Sequence, residues 1–258
     1  MGDQSIGLNA TGVVGYTADS STLVYLANNS GSVWEVANSE ESDALLMAQA
    51  PLFAPKGGHW LVLSYKEVLL DGKPLPLGDL TRANISAASF SPDGQHFAFV
   101  AQSAQGRTLY LDGVAQTAYT VATVGGLTND GTRAYVWSPD SQHIAYTCRP
   151  SNPAANNDVY ACVDNKSVRL GTGYGNIVFS ADSNHVFWGK AVGQAFRVFV
   201  DGKPVYDGKS PYPGGLTYGT WEPQPDGSLQ FLVQDATNIS RITVMPSSST
   251  SLATAFGN

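Results

Sequence analysis

Charge is scarce in this chain. Asp, Glu, Lys and Arg make up 14% of its 258 residues, against roughly a quarter in an ordinary soluble domain. The balance is acidic, with 21 carboxylates against 14 Lys and Arg for a net charge of −7. That argues against nucleic acid or an anionic membrane surface as the main partner. Long apolar runs are missing too. None approaches the roughly 20 residues that cross a bilayer as a helix, so no membrane insertion is expected. The opening MGDQSIGLNA is polar and carries no signal-peptide pattern. Helix signals are nearly absent. Ser39–Ala50 (SEESDALLMAQA) has a cap-like start and a run of helix formers, but its place in the repeat described below favours a strand. Cysteine is limited to Cys148 and Cys162, on either side of RPSNPAANNDVYA. If that stretch is a hairpin connection, the two sit on adjacent antiparallel strands. A disulfide there would point to an oxidising compartment, and two buried free thiols are the alternative.

Turn formers fill the space left by charge, with 27 glycines and 14 prolines among many Ser, Thr and Asn. They are arranged periodically. A leading aromatic followed by a turn occurs at Tyr16 (YTADSSTLVY), Phe53 (FAPKGGHWLV), Phe90 (FSPDGQHFAF), Trp137 (WSPDSQHIAY) and Phe179 (FSADSNHVFW), with a degenerate copy at Trp221 (WEPQPDGSLQF). The spacings are 37, 37, 47, 42 and 42 residues. After each anchor comes a strand-like run, then a variable polar loop. A second apolar run follows and in most units ends in Asp-Gly or Asp-Asn, as in VLLDGKPLPL, LYLDGVAQTAY, ACVDNKSVRL and VFVDGKPVYDG. Asp-Gly between apolar runs marks a type I′ hairpin, whose two central residues both need positive φ. Each unit therefore reads as four antiparallel strands. Six such units of about 40–45 residues match the blades of a β-propeller.

The expected fold is all-β: one six-bladed β-propeller domain over 1–258 with four antiparallel strands per blade. The blades fall at about 8–50, 51–84, 85–125, 133–172, 175–212 and 214–256. SIGLNATGVV is expected to supply the first inner strand or help close the ring. SSSTSLATAFGN is expected to form the last outer strand.

FSPDGQHFAF, WSPDSQHIAY and FSADSNHVFW resemble the WD40-like repeat of TolB-like β-propellers, in which an aromatic-Ser-Pro-Asp-Gly turn precedes an apolar strand. The first unit lacks the proline, the second carries Lys56 in place of the aspartate, and the sixth has an insertion. The resemblance implies the fold. Such repeats occur in periplasmic scaffold proteins, surface lipoproteins and accessory domains of peptidases, so it does not single out an activity.

His59, His96, His143 and His185, the only histidines, each follow the turn at one offset. A metal would need several donors about 2–2.3 Å from one ion, and equivalent positions on four different blades do not converge. Each imidazole is instead expected to pack between neighbouring blades and bond to a turn. No metal site and no cofactor is expected. Asp93, Asp140 and Asp182, with Asp19 and Asp226 as equivalents, are read as turn residues that bond the backbone. GTGYGN (171–176) is dense in glycine but is followed by a strand rather than the helix a phosphate cradle needs, so it is read as an interblade connection. TNDGTR (128–133) lacks the alternating carboxylates of a calcium loop. There is no Gly-x-Ser-x-Gly elbow and no histidine outside the repeat to act as a base.

Repetition is explained by folding, so breaks in it are the candidates for function. Three stand out: the connections 149–158, 123–133 and 207–227, which in a propeller would share one rim. The candidate partner-binding residues are Arg149, Asn156, Asn157, Asp158, Tyr212 and Tyr218 there and Tyr174 in GTGYGN, with Trp221 read as a core anchor. No catalytic residue is assigned. The favoured function is a non-catalytic binding or scaffold propeller for a protein or peptide, outside the cytoplasm (periplasmic, cell-surface or secreted). A carbohydrate-binding propeller is the second reading. A metal-dependent hydrolase or lyase with its site in the central channel is the third; it is weakened by inner-strand segments (NISAASF, RAYVWS, NIVFS) that are poor in carboxylates.

Overall fold

Short apolar runs separated by tight turns fold here as sequence-contiguous antiparallel meanders. The structure, a computed structural model, describes residues 9–10, 14–29, 32–38, 40–45, 48–65, 67–77, 84–103, 106–121, 134–150, 158–171, 175–192, 195–209, 221–234, 239–247 and 251–256. The chain divides into two compact units, Met1–Ala115 and Gln116–Asn258.

The first unit holds three sheets. In the first, β1 (Asn9–Ala10), β3 (Leu23–Asn29), β4 (Ser32–Ala37) and β5 (Glu40–Glu41) pair in that order, and β2 (Gly15–Tyr16) also pairs with β3. The second sheet runs β6 (Leu52–Phe53), β7 (Trp60–Leu63), β8 (Val68–Leu70), β9 (Lys73–Pro74). The third runs β10 (Asn84–Phe90), β11 (Phe97–Ser103), β12 (Gly106–Leu111), β13 (Val114–Gln116). SIGLNATGVV thus contributes β1 to the first sheet. SEESDALLMAQA contributes β5 and a single bridge, Leu45 to Val33; none of its described residues is helical, and the strand covers only Glu40–Glu41.

The second unit also holds three sheets. The fourth sheet is built on β16 (Ile144–Pro150), β17 (Val159–Val163) and β18 (Lys166–Gly171), with β14 (Tyr119–Val121) and β15 (Val136–Trp137) both pairing with β16. The repeat assigns Tyr119–Val121 to the third blade, whereas its pairing puts it here, Val121 opposite Cys148. The fifth sheet is β19 (Gly175–Phe179), β20 (Val186–Val192), β21 (Ala195–Val200), β22 (Lys203–Lys209). The sixth is β23 (Glu222–Pro223), β24 (Leu229–Gln234), β25 (Ile239–Val244).

One expectation is overturned. The tail does not supply the outer strand of the sixth sheet. Leu252–Phe256 is a short helix, α1, held by the Leu252 N–H on the Asn184 carbonyl (3.1 Å). Leu252 and Phe256 are buried with Ala161, Val163 and Trp188, and burying such side chains outweighs the ladder of one more edge strand.

Within each unit the core is laminated between successive sheets. Leu26, Trp60, Val62 and Leu69 fill the space between the first and second. Leu61, Phe90, Phe97 and Phe99 fill that between the second and third. Phe187, Phe196, Leu229 and Phe231 pack the fifth against the sixth. Phe97–Ala101 and Ile144–Cys148 are buried at every position, which is why these central strands read as apolar runs, interrupted only at Thr147.

Candidate functional site

In five of the six units the turn after the leading aromatic is closed by a hydroxyl and a carboxylate two residues apart; after Phe53, Ala54 and Lys56 stand there instead. Ser91 Oγ donates to Asp93 Oδ1 at 2.6 Å, the Gln95 N–H donates to the same oxygen, and the His96 N–H donates to Ser91 Oγ. Ser138 with Asp140 and Ser180 with Asp182 repeat the contact at 2.5 Å, and Thr17 with Asp19 at 2.7 Å. Asp226 receives Ser228 Oγ instead. The hydrogen bonds from Thr17 and Ser21 hold the Asp19 carboxyl at about 2. Partial burial pushes Asp140 and Asp182 up, but the Ser138 and Ser180 hydroxyls and backbone N–H groups outweigh it and hold both below the usual range. Gly94 follows with φ 77°, and a Cβ there would lie 2.4 Å from the Lys56 carbonyl oxygen, so only glycine fits.

The four histidines answer to their own sheets. His59, His96, His143 and His185 Nδ1 lie 2.7, 2.8, 2.6 and 2.7 Å from Oδ2 of Asp71, Asp112, Asp164 and Asp201. These are the aspartates of the Asp-Gly and Asp-Asn turns, with φ of 51°, 48°, 46° and 49°. Their Oδ1 atoms accept the N–H of the residue after each histidine: Trp60, Phe97, Ile144 and Val186. Each dyad therefore ties the two tight turns of one sheet together. The expected bond to a turn is present, and the turn belongs to the histidine's own sheet; His143 also stacks on Phe179 of the next sheet at 6.4 Å. The left-handed aspartate sits at the same end of the sheet as the imidazole, and that is the partner the imidazole takes. In the first sheet, which has no histidine, Asn38 at φ 48° accepts the Leu23 N–H and donates to the Ser21 carbonyl.

The predicted site residues divide sharply. Cys148 and Cys162 form a disulfide with a Cα–Cα distance of 5.9 Å. They are diagonal in the ladder, since Cys148 lies opposite Tyr160 and Cys162 opposite Tyr146, and both are fully buried. Arg149 is in β16 opposite Thr120, whose hydroxyl donates to its carbonyl at 3.4 Å. Asp158 is buried, its Oδ2 2.6 Å from both Nε and an NH2 nitrogen of Arg169. Asn156, Asn157, Tyr174, Tyr212 and Tyr218 lie outside the described residues, as do 123–133. Trp221 packs on Phe196 and Phe231, so close to Gly189 that a Cβ there would meet its ring at 2.4 Å.

Three features were not read from the sequence. Lys190 is buried, donates to the Leu170 carbonyl and lies over the Phe199 ring at 5.6 Å; burial first, then Arg197, pushes its pKa down. Glu35 is buried on β4 and accepts the Trp60 indole N–H at 3.0 Å. A carboxylate inside SVWEVA was the available signal for it. A cleft of about 450 Å³ is lined by Asp140, His143, Asp164, Lys166, Leu252 and Phe256 among others. It lies at the Ile144 end of β16 and depends on α1, which no sequence signal marked. Among the described residues no group of three or more His, Cys, Asp or Glu side chains is placed to hold a metal ion.

No family model matches the chain, and no curated protein matches it. Solved structures do. The chain is similar to Kuenenia stuttgartiensis hydrazine synthase at 15% identity over 94% of this chain and 99% of that one, TM-score 0.36. It is similar to TolB from Acinetobacter baumannii at 19% identity, over 76% of this chain and 54% of that one, TM-score 0.33. It is also similar to the Cps50 (Swd1) β-propeller domain of Myceliophteria thermophila at 11% identity, over 93% and 100%, TM-score 0.39.

Proposed function

We propose that the chain is a non-catalytic binding or scaffold module, its six sheets the blades of a propeller, which docks a protein or peptide through the connection 149–158 outside the cytoplasm. The observation that carries this reading is the anchoring of that connection at both ends. At one end Cys148 is locked by the disulfide, and Pro150 and Arg149 are laddered to β14. At the other, Asp158 is buried against Arg169. Fixing the ends of a connection lowers the entropy lost when it binds. The histidines and turn aspartates, by contrast, are engaged in bracing their own sheets. The disulfide supports an oxidising compartment.

The test is affinity capture from an extracellular or periplasmic extract with the wild type, an Asn156→Ala/Asn157→Ala variant and a Cys148→Ser/Cys162→Ser variant. A specific protein should be recovered by the wild type, lost with the asparagine variant at unchanged thermal stability, and weakened roughly tenfold without the disulfide. Capture indifferent to both variants would overturn the assignment. Glycan-array binding abolished by Tyr212→Ala or Tyr218→Ala would replace the protein partner with a carbohydrate.

A further inference from the structure

We propose that β25 is a docking edge for a second copy of this chain, the two strands pairing antiparallel about a two-fold axis at Ile242. The first five sheets carry a strand beyond their second hairpin turn, which begins at Asn38, Asp71, Asp112, Asp164 or Asp201, all with positive φ. β25 ends at Val244 and is followed by Met245-Pro246. Proline fixes φ near −65° and a bulky side chain avoids positive φ, so this chain cannot make the type I′ turn there. The tail leaves to form α1 against β18. Among the described residues no strand pairs with the outer side of β25.

The other outer edges are guarded against pairing. β5 is two exposed glutamates, β9 is exposed Lys73–Pro74, and β13 is three residues long. β18 carries Lys166 and Arg169, and β22 carries Lys203, Pro204, Asp207 and Lys209. Such charges, prolines and short lengths are what keep edges apart. β25, ISRITV, has six residues, one charge and no proline, and Ile239 and Met245 stand 67% and 55% exposed.

The occupant follows from the symmetry of that exposure. Ile239 and Met245 lie three positions on either side of Ile242 and share the exposed face. In the two-fold register, Ile239 of one copy meets Met245 of the other, and Arg241 meets Thr243. The strand's single charge is never opposed to itself, which a register centred one residue earlier would force. Directly opposed side chains are the unit of sheet stabilisation, and the contact is isologous and closes on itself. A single strand pair buries less than the roughly 1,600 Å² of a standard interface, so the dimer forms in a concentration-dependent way.

Sedimentation velocity of the full chain over a wide concentration range tests this. The wild type shows a monomer–dimer equilibrium. Ile239→Lys/Met245→Lys places lysine opposite lysine at both ends and weakens it by roughly tenfold or more. Ile239→Lys/Met245→Glu sets each introduced lysine against an introduced glutamate and restores it. Both variants keep the wild-type circular dichroism and melting temperature, because both side chains are exposed. A wild type monomeric throughout, association unmoved by the lysine pair, or no restoration by the lysine–glutamate pair would overturn the assignment. Its failure leaves the 149–158 reading untouched, since none of these positions lies on that connection.

Discussion

Single carboxylates are pushed in opposite directions by how they are solvated. Asp19 accepts three hydrogen bonds at Oδ1 on the surface and stays ionised well into acid. Glu35 is the opposite case. Burial raises its pKa, the Trp60 N–H lowers it in part, and the Asp71 charge raises it again; its second oxygen has no hydrogen-bond partner among the described residues. A glutamate whose pKa is higher in the folded than in the unfolded chain contributes most favourably when protonated. That contribution is lost as pH rises through the ordinary glutamate range to the raised value. Glu35→Gln keeps an oxygen for the Trp60 N–H and removes the charge. It should therefore raise the melting temperature at pH 7 and match the wild type near pH 4. An equal shift at both pH values would show that ionisation is not the cause.

At the scale of the element, the working part is the pair of tight turns closed by one His–Asp dyad. The four copies have the same geometry but different solvent exposure. The Asp201 side chain is fully buried, whereas that of Asp112 is 41% exposed. Removing Asp201 strands the Val186 N–H and the His185 imidazole in the interior, while water replaces Asp112. Asp201→Ala should cost about 2–3 kcal/mol and Asp112→Ala about 1 kcal/mol, measured by urea unfolding. Equal losses would mean that the dyads act through turn conformation alone.

Within each unit the order of the sheets follows the sequence, and α1 is the element that breaks the pattern. Phe256 sits 5.8 Å from the Trp188 ring, in the core of the fourth and fifth sheets. Phe256→Ala should lower stability by about 3 kcal/mol, as read by thermal or urea unfolding. A tail lying as an exposed edge strand would lose far less.

The repeat of aromatic, tight turn and Asp-Gly determined the all-β class, the number of sheets and the identity of the turn residues, because those choices are local: positive φ and short apolar runs between tight turns are written within a few residues. Tertiary structure decided which residue meets which. The histidine and its aspartate are 12, 16, 21 and 16 residues apart in the four dyads, so no fixed spacing announced their pairing. Tyr119–Val121 joined the fourth sheet because its partner strand begins more than twenty residues later. Leu252 and Phe256 made a helix because a pocket among the fourth and fifth sheets took their side chains, and among the described residues no strand then pairs with the outer side of β25.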